Sequence, residues 1–272
     1  MASRVPDPIR IARLGRVEYV ATARMQRSLR AAREAGAIGD VLLMLEHDPV
    51  ITCGTRTEIE EVAYARTTTI PLVPVERGGK ATYHGPGQVV AYPIFDLSIV
   101  DDDVKELVYR LEQSIIETLE AHGVTTERRT GLPGVWVDPD GKRPRKIASV
   151  GLRLTRGVTF HGIAVNVAND MEPFGWFTPC GIDDVEMTSV EGELGLDGDD
   201  QKLLGALVRS VEEYLERAIA HHFEVEATPI KADDLRLVAM RYPMPEPDVA
   251  LPGETRPSRV DVAAVASEAV SS

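Results

Sequence analysis

Two stretches of the chain carry apolar residues at helical spacing. Between 101 and 122, Val104, Leu107, Val108, Leu111, Ile115 and Leu119 recur every three or four positions and fall on one helix face. Asp101, Asp102 and Asp103 lie ahead of them, where carboxylates suit a helix N-terminus, and Gly123 follows as a stop. Residues 201–221 repeat the design with Leu204, Leu207, Val208, Val211, Leu215 and Ile219 behind Asp199 and Asp200. A weaker helical pattern covers 21–35 and ends at Gly36. Short runs rich in Val, Ile and Tyr predict strands over 10–19, 41–46 and 88–95. The middle of the chain predicts a hairpin, 134–137 and 147–154 around a Pro139-Asp140-Gly141 turn, and then a strand over 158–167. Strands and helices interleave without a regular βαβ rhythm. That pattern predicts an α/β (α+β) fold in which a single mixed β-sheet is flanked by helices, rather than a doubly wound parallel sheet.

Outside this region the patterning fades. Residues 1–9 hold two prolines and read as a flexible lead-in. From 241 to 272 the chain turns rich in Pro, Ala, Ser and Val without an amphipathic repeat and reads as a disordered tail. The expected organisation is one catalytic domain over 10–240 between these segments.

With 272 residues and 43% hydrophobic content, a sizeable core is available. The net charge of −13 argues against nucleic-acid and anionic-membrane partners, both of which call for a basic surface. No apolar run approaches membrane-spanning length, and the first residues lack an apolar signal segment. These features, with only two cysteines, Cys53 and Cys180, point to the cytoplasm and to reduced thiols.

Three segments concentrate chemistry. The first, Arg77 to Gln88, packs four glycines, a proline, an arginine and a histidine into twelve residues. Glycine lets backbone approach a ligand closely, and the phosphate-loop patterns are absent here. The second, Arg143 to Val167, holds Lys146 where a basic turn enters an apolar strand. Small residues follow at 148–151 and again at 162–164, and His161 precedes the latter set. A lone histidine in such a strand fits a hydrogen-bonded core residue as readily as a ligand. The third, Phe177 to Val190, sets Cys180 between Pro179 and Gly181. Proline and glycine there would hold a thiol rigidly beside open backbone N–H groups. Cys53 follows an apolar run and reads as structural. No paired ligand spacing suggests a metal, and nothing in the sequence calls for a cofactor.

Taken together, these segments resemble the lipoyl (octanoyl) transferases of the biotin/lipoyl protein ligase superfamily over about residues 10–225. The matching motifs are Arg77-Gly78-Gly79, Thr82 to Gln88 with Tyr92-Pro93, Lys146 to Gly151, Phe160 to Val167, and Pro179 to Ile182. The resemblance implies an enzyme that moves octanoyl from acyl carrier protein to a lysine of lipoyl domains. The acceptors would be subunits of 2-oxoacid dehydrogenase complexes and the glycine cleavage H protein. It implies a Cys180 nucleophile and a Lys146 partner. It places substrate binding at Arg77, Gly78, Gly79, Lys80, Ala81, Thr82, Tyr83 and His84, at Ser149, Val150 and Gly151, and at Gly162, Ile163 and Ala164. It also implies the fold, a mixed sheet flanked by helices as in biotin protein ligases. A Cys180 thiolate, favoured by a lysine cation, would attack a thioester without ATP. Backbone N–H groups at 180–181, or His84, would stabilise the oxyanion. Lys142, Arg143, Arg145, Arg153 and Arg156 would form a patch for an acidic carrier protein. An ATP-dependent lipoate or biotin ligase, a lipoyl amidotransferase and a non-catalytic acyl binder are the competing readings.

Overall fold

The computed structural model describes residues 7–179, 185–247 and 249–253. In chain order the elements are β1 (Ile9–Val17), α1 (Tyr19–Glu34), β2 (Val41–His47), β3 (Val50–Cys53), β4 (Leu72–Pro74), β5 (Thr82–His84) and β6 (Gln88–Ile94). They continue as α2 (Val104–Ala121), β7 (Glu127–Arg129), β8 (Leu132–Val137), β9 (Arg145–Thr155) and β10 (Val158–Asn166). After β11 (Glu186–Met187) come the short α3 (Val190–Leu194), α4 (Gln201–His222), β12 (Ala227–Pro229) and α5 (Ala232–Arg241).

The large sheet runs β12-β1-β2-β6-β10-β9-β8-β7, with β11 added alongside β9. It is mixed: β1 lies parallel to both β12 and β2, and β11 is parallel to β9, while the other neighbours are antiparallel. Both rims end in three-residue strands, Glu-Arg-Arg at β7 and Ala-Thr-Pro at β12. Short rims bearing charge or proline resist pairing with other chains.

Helices cover both faces of the sheet, which explains why β2 is apolar almost throughout. Its side chains alternate between layers. Leu42 and Met44 meet Leu107, Leu111, Ile115 and Leu119 of α2 and Val211, Leu215 and Ile219 of α4. Leu43 and Leu45 face Leu29 of α1 and Leu235 of α5. The predicted helix starts shift by up to three residues. Asp103 alone caps α2, its carboxylate accepting from Lys105 N at 2.7 Å, whereas Asp101 and Asp102 turn through left-handed backbone before it. Glu18 caps α1 and Asp200 caps α4 through side-chain acceptors.

β3, β4 and β5 form a separate three-stranded sheet that the sequence pattern did not signal. Its core joins Ile51, Cys53, Val62, Tyr83, Phe174 and Phe177. Burial pushes the Cys53 thiol up to about 11, so it behaves as a packing residue. The chain beyond α5 remains tied to this body. Glu246 pairs with Arg24 and Arg27, both at 2.7 Å, and Arg66 donates to the Pro252 carbonyl at 3.0 Å. Of the tail expected over 241–272, the contacts described reach Gly253. Among the described residues, no helix is long and apolar enough to cross a membrane.

Candidate active site

The Arg77 loop is organised from within. The Arg77 guanidinium is buried and donates to the carbonyls of Gly78, Lys80 and Thr52 and to Thr52 Oγ1, at 3.1, 2.7, 2.9 and 2.7 Å. Its fork thereby fixes the loop around itself. Two backbone N–H groups from the neighbouring turn, Thr55 and Arg56, donate to the carbonyls of Arg77 and Gly79. Gly79 has φ +88°, a conformation that favours glycine. The side chain of Lys80 pairs with Glu61.

Beneath the loop lie β9 and β10, and their register joins the two small-residue triplets. Ser149 faces Ala164, Val150 faces Ile163, and Gly151 faces Gly162. A side chain at 162 has no room: an added Cβ would stand 2.1 Å from the Ala91 carbonyl oxygen. The loop reaches down to this floor, since a Cβ on Gly151 would stand 3.4 Å from Arg77 Cδ.

Lys146 enters from β9. The β8–β9 register steps from Val135↔Ala148 to Trp136↔Lys146, leaving Ile147 as an extra residue. Such a bulge re-aims the side chains beside it. The Lys146 side chain is buried, lies over the Trp136 ring at 5.1 Å, and donates to the Pro133 carbonyl at 2.9 Å. Gly134 makes room for it. At φ +122°, a Cβ there would stand 2.6 Å from Lys146 Cε and 2.5 Å from the Ala148 carbonyl oxygen.

These parts surround one cavity of about 640 Å³, within the range of small-molecule sites. Lys146, the two strand triplets, and Arg77, Gly78, Gly79, Lys80, Thr82 and His84 all line it. Ala81 and Tyr83 do not. Tyr83, by the alternation of β5, and Ala81, just ahead of that strand, turn into the core of the small sheet. Cys180, Gly181 and Ile182 lie outside the described residues. On its downstream side that segment returns as β11, where Met187 pairs with Lys146 and Thr188 N donates to the Lys146 carbonyl at 3.0 Å.

A hydrogen-bond chain fixes the protonation of His84. Asn166 Nδ2 donates to the Thr188 carbonyl at 3.1 Å, so Asn166 Oδ1 faces Gln88 and accepts from its Nε2 at 2.9 Å. Gln88 Nε2 also donates to the Tyr83 carbonyl at 3.1 Å. Gln88 Oε1 therefore points at His84 Nδ1, 2.7 Å away, which must carry the proton. Burial, with nearby His47, pushes the His84 pKa down to about 3. The ring is neutral and its Nε2 is a lone-pair acceptor. It has no proton to offer an oxyanion, which removes His84 from that role.

His84 stacks on Tyr19 and meets His47 edge-on, at centroid distances of 5.9 and 5.7 Å. His47 Nδ1 donates to the Val17 carbonyl at 3.0 Å, and its Nε2 accepts from the Tyr92 hydroxyl at 2.8 Å. Burial holds His47 at about 4. Tyr19 and Tyr92 also line the cavity. Tyr92 fell within a matching motif, but Tyr19 and His47 carried no local signal, because the cluster forms only where α1, β2, β5 and β6 come together.

Both histidine pKa values are lower folded than unfolded, so the unfolded chain binds more protons between about pH 4 and 6.5 and stability must rise with pH there. Each group adds at most about 1.4 kcal/mol per pH unit. Burial raises the folded pKa of Asp40, Glu76 and Glu212, which contribute with the opposite sign and trim the slope. The urea midpoint is expected to fall steadily as pH drops from 7 to 4.5. A level midpoint would contradict neutral buried imidazoles.

His161 is a third buried histidine. It sits in β10 with φ +57°, a left-handed conformation that costs about 1–3 kcal/mol in a non-glycine residue. Its backbone N–H donates to Gln26 Oε1 at 2.7 Å. Its ring stacks on Phe160 and lines the cavity, and neither ring nitrogen has a hydrogen-bond partner. Burial, reinforced by Arg77 and Arg27, drives its pKa far down.

Much of the expected basic patch is compensated by acids. Arg143 pairs with Glu186 at 2.9 Å, Arg145 grips both oxygens of Glu193, and Arg156 pairs with Glu34 at 2.9 Å.

A mixed sheet covered by helices on both faces carries a cavity lined by a buried lysine and a glycine loop, and known proteins share this fold. The description "Lipoyl protein ligase A/B catalytic domain" matches residues 18–212. Among solved structures, lipoate-protein ligase A bound with ATP superimposes with TM-score 0.61 at 17% identity, covering 86% of this chain and 93% of that one. LipL1 of P. falciparum, in complex with lipoate, gives TM-score 0.62 at 11% identity over 86% of this chain and 70% of that one. At such identities these two show the fold. Sequence carries the assignment further. The octanoyltransferase of Thiobacillus denitrificans is 44% identical over 215 residues, which is 79% of this chain and 93% of the relative. That of Mycolicibacterium gilvum is 46% identical over 190 residues, 70% of this chain and 78% of the relative. The chain belongs to the octanoyltransferases, acyltransferases within the lipoyl protein ligase A/B catalytic family.

Proposed function

We propose that octanoyl transfer by this chain runs through a thioester on Cys180, with acyl carrier protein as donor and a lysine of a lipoyl domain as acceptor. The observation that carries this reading is the single cavity lined at once by Lys146, the paired triplets of β9 and β10, and the Arg77 loop. In the first half-reaction the Cys180 thiolate adds to the donor thioester carbonyl, and the carrier thiolate leaves with a proton. The Lys146 cation favours the attacking thiolate, and the thiol proton passes to the leaving group through the site. In the second half-reaction the acceptor amine attacks the acyl-Cys180 carbonyl. Amide forms, the Cys180 thiolate is expelled, and neutral Lys146 takes the amine proton. Thioester exchange is close to balanced and amide formation is downhill, so ATP is not consumed.

The acceptors are the lipoyl domains of 2-oxoacid dehydrogenase complexes and the glycine cleavage H protein, and the reaction takes place in the cytoplasm. An acidic carrier would find Lys142 without an ion pair among the described residues, whereas Arg143, Arg145 and Arg156 already hold carboxylates and Arg153 acts on nearby Glu76.

The test is an intact mass of the purified protein after incubation with octanoyl-carrier protein in the absence of ATP. An octanoyl adduct is expected on the parent, absent from Cys180→Ser, and discharged by an added lipoyl domain. Transfer that required ATP, or that persisted in Cys180→Ser, would defeat the mechanism.

A further inference from the structure

We propose that Glu112 is a positioning residue for transfer: its carboxylate orients the Pro133–Gly134 peptide so that the Pro133 carbonyl seats the Lys146 amine. The inference rests on the part given to Lys146 in the octanoyl-transfer reading above. The Pro133–Gly134 peptide stands outside the ladders of the sheet. β7 pairs with Leu132 and then with Val135, and the pairing of β8 with β9 begins at Val135, so both registers pass over residues 133 and 134. Side chains take the two polar ends of this peptide instead. Its N–H donates to Glu112 Oε1 at 2.8 Å, and its oxygen accepts from Lys146 Nζ at 2.9 Å.

Glu112 puts a carboxylate on an otherwise uncharged face. It is 7% exposed, on the side of α2 that buries Leu107, Leu111, Ile115 and Leu119. Burying a carboxylate is costly unless it is paired and hydrogen-bonded. Here both oxygens are engaged, Oε1 by Gly134 N and Oε2 by Arg128 Nε at 3.2 Å. Arg128 is anchored in turn. Its Nη2 donates to the Tyr109 carbonyl and to Gln113 Oε1, both at 2.9 Å, and its guanidinium lies over the Tyr109 ring at 3.9 Å. The carboxylate is thus held against Gly134. A peptide group is planar, so fixing its N–H fixes the direction of its oxygen. Accepting that N–H also polarises the group and strengthens the oxygen as an acceptor for the lysine. The bulge at Ile147 aims Lys146 at the site, and Glu112 sets where its amine comes to rest.

The experiment follows alkylation of Cys180 by iodoacetamide against pH, read by peptide mass, together with kcat and KM for octanoyl transfer. It compares the parent with Lys146→Ala, Glu112→Leu and Glu112→Gln. A lysine cation favours the thiolate, so Lys146→Ala is expected to move the alkylation profile to higher pH. Glu112→Leu fills the buried space without offering an acceptor. It is expected to shift the profile the same way, to lower kcat roughly tenfold and to leave KM within about twofold. Glu112→Gln keeps an oxygen for Gly134 N, and Arg128 retains its bonds to Tyr109 and Gln113, so this variant should stay near the parent. Lost stability alone does not move the profile of the folded protein. A parent-like Glu112→Leu profile beside a shifted Lys146→Ala profile therefore overturns the inference and leaves the transfer reading standing. A Glu112→Gln profile shifted as far as that of Glu112→Leu would overturn it too, since charge rather than orientation would then decide. A Lys146→Ala profile identical with the parent's would strike the lysine's part in transfer, and this inference with it. If Glu112→Leu does not fold, Glu112→Asp takes its place. Its shorter side chain draws the carboxylate back from Gly134, so a shifted profile supports the seating of the lysine and a parent-like one rejects it.

Discussion

Gly134→Ala is expected to suppress transfer roughly a hundredfold, the scale that an ångström of misplacement costs a reacting group, although position 134 bears no side chain of its own. The new Cβ would collide with Lys146 Cε at 2.6 Å and with the Ala148 carbonyl oxygen at 2.5 Å. Backbone at φ +122° also resists any residue with a Cβ. Shifting the backbone to relieve the clash would strain the hydrogen bond from Gly134 N to Glu112 Oε1, 2.8 Å long and buried. The lysine amine, held now by the Pro133 carbonyl, must therefore move. The decisive comparison is the double variant with Lys146→Ala. If glycine matters only because it seats the lysine, the double variant should be no slower than Lys146→Ala alone. Full additivity, or a Gly134→Ala enzyme within a few-fold of the parent, would break the link between the two residues.

Arg77→Ala should be the most damaging change in the glycine loop. It removes donors to three carbonyls and a hydroxyl in a buried setting. Charge-assisted bonds contribute about 1.5–3 kcal/mol each when counted singly, and non-additivity brings the expected total loss to about 3 kcal/mol or more. The functional effect should appear as a raised KM, because the loop that roofs the paired triplets of β9 and β10 would no longer hold its shape. Amide exchange offers a local check. The N–H groups of Thr55 and Arg56, which donate to the Arg77 and Gly79 carbonyls, should lose protection before the strands beneath do. Arg77→Lys should recover little, since a single ammonium cannot span Thr52 and Lys80 together. Undiminished protection at Thr55 and Arg56 in Arg77→Ala would show that the loop stands without its arginine.

What could be read from the sequence was governed by locality. The stripes Leu107-Leu111-Ile115-Leu119 and Leu204-Val208-Val211-Leu215 announce α2 and α4 because helix burial repeats within a few residues. The triplets 149–151 and 162–164 stood out as small residues, but their direct pairing appeared only with the β9–β10 register. The strands of the small sheet, three or four residues each, were too brief to show a period. α5 went unremarked because of its ten residues only Leu235 is buried. At the site, the resemblance supplied Lys146 and the loop, whereas the roles of Gly134, Tyr19 and His47 depend on partners distant in sequence. Ala81 and Tyr83 show the reverse case: neighbours of the cavity-lining Lys80, Thr82 and His84, they turn instead into the core of the small sheet. The fate of His84 was also beyond the sequence, since its donor nitrogen is claimed by a network running through Gln88, Asn166 and Thr188.

The pairing of Ile9 with Ala227 binds the first strand of the domain to one of the last. During synthesis, β1 can zip onto β2 as soon as a few dozen residues have emerged, but its outer edge then stays bare until nearly the whole chain has left the ribosome. An uncovered parallel edge of this kind invites strands from other nascent copies. The three residues of β12, with Pro229 unable to donate, close that edge without creating a new one of any length. Premature termination anywhere between α4 and β12 would thus leave a protein with its cavity-forming strands intact and its sheet unsealed, a species more prone to aggregate than to lack activity.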